Sequence, residues 1–203
     1  MDDKPQSTNE GANMGPDLLN QEERATLIKL ARKALEDGVS GKALEPLDLG
    51  AHSKRLQEPG ATFVTLKRKG ELRGCIGTLE ARQPLVEDAR EHAVAAALSD
   101  YRFPPVSLEE LPEITIEISR LTPPQLLEYE KCEDLPALLR PHIDGVILRD
   151  GIRRATFLPQ VWEKVSDPDV FLDYLCQKMG LPPGTWRRKK LEAWIYQVEE
   201  FEE

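Results

Sequence analysis

The chain is poor in the residues that most often carry chemistry. Its 203 residues include three cysteines and three histidines, and aromatic side chains make up 6%. Cys75, Cys132 and Cys176 are odd in number and far apart, and no C-x-x-C pair occurs. That argues for reduced thiols and against a disulfide framework, a cysteine-only metal site or an iron–sulfur cluster. No apolar run approaches the length of a membrane span. Met1-Asp2-Asp3-Lys4 has no basic stretch leading into an apolar one, so no secretory signal is expected and the reading is a cytoplasmic protein. At a net charge of −9 the chain lacks the basic footprint of nucleic-acid binding. Arg187-Arg188-Lys189-Lys190 is its one locally basic stretch, and Glu199, Glu200, Glu202 and Glu203 offset it. No Ser-His-Asp, H-E-x-x-H, P-loop or Rossmann pattern is present.

What is present suffices for a real core, since 40% of residues are hydrophobic. Residues 1–16 carry almost no apolar content and read as a disordered N-terminal tail, leaving a domain over 17–203. Asn20 and Glu23 form a capping box for an amphipathic helix over 21–37, with Gly38 suited to its C′ position. Residues 39–60 read as loop. The stretches 62–68 and 72–79 read as a hairpin around Lys69-Gly70. Pro84 fits the first turn of an alanine-rich helix ending near Leu98. Ile114, Ile116 and Ile118 mark one buried face of a strand over 113–120. A second hairpin, 145–149 and 152–158, surrounds Asp150-Gly151. Asp167-Pro168 starts a helix that Gly180 ends, and a last strand places Trp194, Tyr196 and Val198 on one face. Hairpins interspersed with helices imply an α+β fold of mainly antiparallel sheet with packed helices.

The most informative stretch is Leu72-Arg73-Gly74-Cys75-Ile76-Gly77, followed by Thr78. Strand alternation puts Arg73 and Cys75 on one face, roughly 6.5–7 Å apart. A guanidinium beside a thiol favours the reactive thiolate. Glycines in a strand mark a bend or a close backbone approach, and positions 74 and 77 carry no side chain to block access. The functional reading is a site in which Cys75 is nucleophile or acid–base thiol and Arg73 activates it and orients the substrate. The alternative is a cysteine packed as a small hydrophobe, with glycines serving a bulge and tight packing.

The same stretch resembles the signature of the AMMECR protein family, whose prokaryotic members are called AmmeMemoRadiSam system protein A. Asp100-Tyr101-Arg102-Phe103-Pro104-Pro105 resembles the family's D-x-R-F-x-P block. Glu110-Leu111-Pro112 resembles its E-L-P element, and Arg154-Ala155-Thr156-Phe157-Leu158-Pro159-Gln160-Val161 its R-A-T-[FY]-L-P-x-V block. The four blocks cover about residues 72–161 in order. The resemblance implies two unequal lobes, with the N- and C-terminal segments sharing the larger one. It also implies work alongside a Memo-like protein and a radical S-adenosylmethionine enzyme. It names no reaction and no cofactor. Where many members have a histidine directly before the glycine at 145, this chain has Asp144.

Gly74, Gly77, Thr78, Asp100, Arg102 and Arg154 are the expected substrate-binding residues around Cys75 and Arg73, taking a small anionic metabolite. Each has a plainer alternative. Asp100 and Arg102 suit a loop-fixing ion pair with backbone hydrogen bonds. Arg154 and Thr156 share a strand face that lines either a pocket or solvent. His52, His92 and His142 read as surface or core residues. On the rival reading the whole protein is a non-catalytic binding or scaffold protein.

Overall fold

The computed structural model describes residues 18–203, so the expected tail at 1–16 lies outside the described residues. Asn20 opens helix α1 (Gln21–Val39): its side chain accepts the Glu23 N–H at 2.9 Å, and the Glu23 carboxylate accepts the Asn20 N–H at 3.0 Å. That reciprocal box satisfies two of the donors a helix start leaves open. The helix runs past the expected stop. Gly38 is inside it, where a Cβ would meet Val94 Cγ1 at 2.9 Å, and the left-handed turn falls at Gly41 with φ +72°. Gly38 is therefore an interhelical contact point and not a C-terminal cap.

The expected loop at 39–60 contains a 3-10 turn at Leu49–Ala51 and the short helix α2 (Lys54–Gln57), which buries Leu56. Strands β1 (Pro59–Arg68) and β2 (Glu71–Gly77) form the expected hairpin. Its turn residues Lys69 and Gly70 both have positive φ, at 54° and 81°, the twist that matches paired strands. Two-residue β3 (Gln83–Pro84) precedes α3 (Leu85–Leu98), with Pro84 at the N-cap position and not in the first turn. Strands β4 (Ile114–Leu121) and β5 (Gln125–Leu127) follow. Next come α4 (Leu135–Leu138), β6 (Gly145–Asp150) and β7 (Arg153–Phe157), turning at Gly151 and Ile152, because Asp150 already pairs with Arg153. Asp167 caps α5 (Pro168–Lys178), and Gly180 takes φ +79° beyond it. The chain ends with α6 (Thr185–Arg188), β8 (Glu192–Tyr196) and β9 (Val198–Glu202).

The larger lobe carries the antiparallel sheet β2-β1-β4-β9, with β3 beside the start of β1. Val64, Leu66, Ile116 and Ile118 bury against Leu27, Ala31 and Leu35 of α1 and against the alanines of α3. Ala89, Ala93, Ala96 and Ala97 are small enough to bring α3 close to the strands. The smaller lobe carries β5-β8-β6-β7 over a core in which Trp162 and Phe171 stack at 3.7 Å. The expected single last strand breaks at Gln197, so that β8 joins one sheet and β9 the other. The chain thus passes between lobes at Thr122 and again at Gln197. The two crossings are tied together: each residue's N–H donates to the other, Thr122 to the Gln197 carbonyl and Gln197 to Thr122 Oγ1, both at 2.8 Å. Ala61, Leu121, Ile147 and Tyr196 pack between the lobes.

Candidate functional site

The hairpin does not keep Arg73 and Cys75 on one face. The register runs Thr65 to Cys75, Leu66 to Gly74, then Lys67 to Leu72, so Arg73 is the extra residue of a β-bulge. A bulge interrupts the alternation that parity reasoning assumes. Arg73 makes a two-pronged pair with Glu110, Nε to Oε1 at 2.9 Å and Nη2 to Oε2 at 3.0 Å, and shares that carboxylate with Arg68. Such forked geometry is the strong form of the arginine–carboxylate pair. It holds the Glu110 carboxyl down to about 2, with the Ser107 N–H adding to the effect. Arg73 Nη1 is buried without a hydrogen-bond partner among the described residues. Cys75 is half-buried on the sheet face away from the helices, where the Thr65 hydroxyl donates to Sγ at 3.3 Å. Lys67 and Glu117 pair at 2.7 Å on the same face.

Gly74 and Gly77 open no channel. A Cβ at Gly74 would overlap the carbonyl oxygen of Ala96 in α3, and one at Gly77 would overlap Phe63 and the Thr62 carbonyl. Both glycines are required by close approach within the lobe itself. Thr78 carries β2 onward by donating its N–H to the Thr62 carbonyl at 3.0 Å, and its hydroxyl accepts the Glu80 N–H at 3.1 Å.

Asp100 and Arg102 close the outer edge of β2. Asp100 is 5% exposed, and its Oδ2 accepts the Cys75 N–H at 2.8 Å. Arg102 pairs with Asp100 at 2.6 Å and donates to the Cys75 carbonyl at 3.1 Å. A strand edge left bare is a template for unwanted pairing, and here two side chains take the place of a neighbouring strand. The arginine drives the Asp100 carboxyl far below the usual carboxylate range, although burial opposes it.

A concave site lies elsewhere, between the lobes. A cavity of about 450 Å³ opens there, within the range of small-molecule sites. Arg154 and Thr156 from β7 and Tyr196 from β8 form its small-lobe wall. Thr156 Oγ1 and Tyr196 OH are 3.0 Å apart, and Tyr196 donates onward to the Phe157 carbonyl at 3.2 Å. With its proton so used, Tyr196 accepts from Thr156, which leaves Thr156 oxygen lone pairs toward the cavity. Burial pushes the Tyr196 phenol up. The opposite wall comes from the larger lobe, including Ala61, Leu79, Leu85 and Leu121, with Pro123 and Pro124 of the crossing segment beside it and the Glu58 carboxylate also in the lining. Arg55 and Arg120 also line it; Glu23 holds the first at 3.3 Å and Glu199 the second at 3.3 Å. Two carboxylates here each serve two guanidiniums: Glu80 pairs with Arg82 and Arg154, and Glu199 with Arg24 and Arg120. Arg82, then Arg154, holds the Glu80 carboxyl below its ordinary range.

Of the expected site residues, only Arg154 lines this cavity, while the segment after Thr78 leads into it through Leu79. Cys75, Arg73, Asp100 and Arg102 gather instead at the bulge and edge of β2. Sequence reasoning missed Tyr196, Arg120 and Glu110 as members of either cluster. The parity of Trp194, Tyr196 and Val198 gave Tyr196 a shared face but not what that face meets. Among the described residues, no group of three or more His, Cys, Asp or Glu side chains could hold a metal ion. No helix of these residues is long and apolar enough to cross a membrane.

The AMMECR1 family model matches residues 28–201. A protein of Methanothermobacter thermautotrophicus is 41% identical over 186 residues, covering 91% of this chain and 96% of that protein. Protein MJ0810 of Methanocaldococcus jannaschii is 35% identical and covers 92% of each. The crystal structure of the uncharacterised protein PH0010 from Pyrococcus horikoshii superimposes with a TM-score of 0.69 at 38% identity, over 91% of this chain and 93% of that one. The chain belongs to the AMMECR1 family.

Proposed function

We propose that the protein binds a small anionic metabolite in the cleft between its lobes, with Arg154 as the principal cation. The observation that carries this reading is the sharing of Glu80 between Arg82 and Arg154 at the rim of a 450 Å³ cavity. One carboxylate beside two guanidiniums leaves a local excess of positive charge, which an incoming anion offsets with the geometry arginine supplies. On this reading the Cys75 segment positions residues 78–82 along the cleft, and its thiol is assigned no chemical step. The links to a Memo-like protein and a radical S-adenosylmethionine enzyme stay part of the proposal, supported by the motif blocks alone.

A scaffold role for the Cys75 motif has its own support. Arg73, Asp100 and Arg102 are engaged with Glu110, with one another and with the Cys75 backbone. Titration calorimetry with orthophosphate, citrate and short keto acids tests the cleft reading. Wild type is expected to bind at least one of them, and Arg154→Gln to weaken it about 10- to 100-fold, the value of a charge-assisted hydrogen bond. Equal affinity in the two proteins, or no binding to either, rejects it.

A further inference from the structure

Resting on that reading of the cleft, we propose that its ligand is an organic acid with an apolar body, carboxylate at Arg154 and carbon skeleton against Leu79 and Leu121. The two walls differ in kind. The small-lobe wall presents Arg154, Thr156 and Tyr196, all capable of polar contact. Opposite it the larger lobe presents Leu79, Leu85 and Leu121, with Pro123 and Pro124 of the crossing segment beside them. Of the charged residues there, Arg82 pairs with Glu80, Arg55 with Glu23 and Arg120 with Glu199, and Glu58 adds a further carboxylate. Leu79 is only half-buried, and Pro123 and Pro124 are exposed, so their apolar surface is in contact with water, while Leu85 and Leu121 lie buried behind it.

A compact, fully hydrated anion such as phosphate fills a fraction of 450 Å³ and gains nothing from that wall. An acid with a hydrocarbon body removes both apolar surfaces from water at once, and the gain scales with the area covered. The cleft therefore selects by a charge at one wall and a hydrocarbon surface at the other.

The test titrates the full chain with acetate, butanoate, hexanoate and octanoate, beside phosphate and citrate, in wild type, Leu79→Ser and Arg154→Gln. Affinity is expected to rise roughly fourfold per added methylene until the cavity is full. Leu79→Ser is expected to flatten that rise, and Arg154→Gln to weaken the whole series. Pro124→Asn, in the exposed segment between β4 and β5, replaces Leu79→Ser if that variant loses cooperative unfolding. Binding of phosphate or citrate with no gain along the acid series overturns the inference and leaves the anion cleft standing. A rise that neither wall variant alters overturns the placement of the body. Failure of every acid and anion to bind overturns both readings.

Discussion

The backbone N–H of Cys75 lies 2.8 Å from Asp100 Oδ2, and the Cys75 carbonyl takes a hydrogen bond from the arginine that pairs with that same aspartate. The D-x-R block therefore works on the main chain of the cysteine and not on its thiol. Replacing Asp100 by Ala leaves the Cys75 N–H without this acceptor and Arg102 without its carboxylate. The expected loss is about 1–3 kcal/mol in urea unfolding, with faster hydrogen exchange at the Cys75 amide. An unchanged exchange rate would show that the edge is held by something else.

Gly74 sets how closely α3 lies on β2. Because a Cβ there would overlap the Ala96 carbonyl, Gly74→Ala must push backbone against backbone. Overpacking of this kind costs about 1–3 kcal/mol. The melting midpoint is expected to drop by several degrees, while affinity for any cleft ligand holds within twofold in the folded fraction. A stable variant with lost binding would instead make Gly74 a ligand-facing residue.

Two of the depressed carboxyls that shape the acid limb of stability belong to the β2 cluster. Glu110 is held down to about 2 by Arg73, and Asp100 lies far below its ordinary range through Arg102. Both folded values are depressed, so the unfolded chain binds protons first. Their contribution is complete above about pH 4.5 and drains away as pH falls through the folded values. Urea unfolding at stepped pH should show stability falling from pH 4.5 toward 2. Glu110→Gln should flatten that slope, at the cost of stability near neutral pH, because Arg73 is then buried without a carboxylate. An unaltered slope in Glu110→Gln would remove Glu110 from the explanation.

The alkaline limb tests the small-lobe wall. Burial raises the Tyr196 phenol above its ordinary value, so the folded protein keeps a proton that the unfolded chain releases near pH 10. Stability then falls as pH rises past about 10. Tyr196→Phe should lessen that fall and cost about 1 kcal/mol at neutral pH from the lost hydroxyl bonds to Thr156 and Phe157. A Tyr196 phenolate appearing below pH 10 in the difference absorbance titration would contradict the buried placement.

Periodicity and turn chemistry made much of the fold legible, and the failures have definite causes. The Asn20 to Glu23 box, the Lys69-Gly70 turn, the Ile114 to Ile118 face and the Asp167 cap are local, and local signals found them. The bulge at Arg73 depends on how β2 registers against β1, which no alternation within β2 reveals. Likewise, nothing in the alternation of 192–200 announces that Gln197 hands the chain from one sheet to the other. Gly74 read equally as access for a ligand or as room for a neighbour, and only the position of Ala96 separates the two. The cleft was half visible: Arg154 and Thr156 shared a face, but Leu79, Arg120 and Tyr196 join them through tertiary folding alone.

The central claim is that ligand enters between the lobes and not at the cysteine. The most direct test is a two-dimensional amide spectrum of the full chain titrated with hexanoate. The cleft reading predicts saturable shifts concentrated at Leu79, Leu121, Arg154, Thr156 and Tyr196, with Thr65, Cys75 and Lys67 unmoved. Shifts centred on Thr65 and Cys75, with the cleft silent, would contradict it.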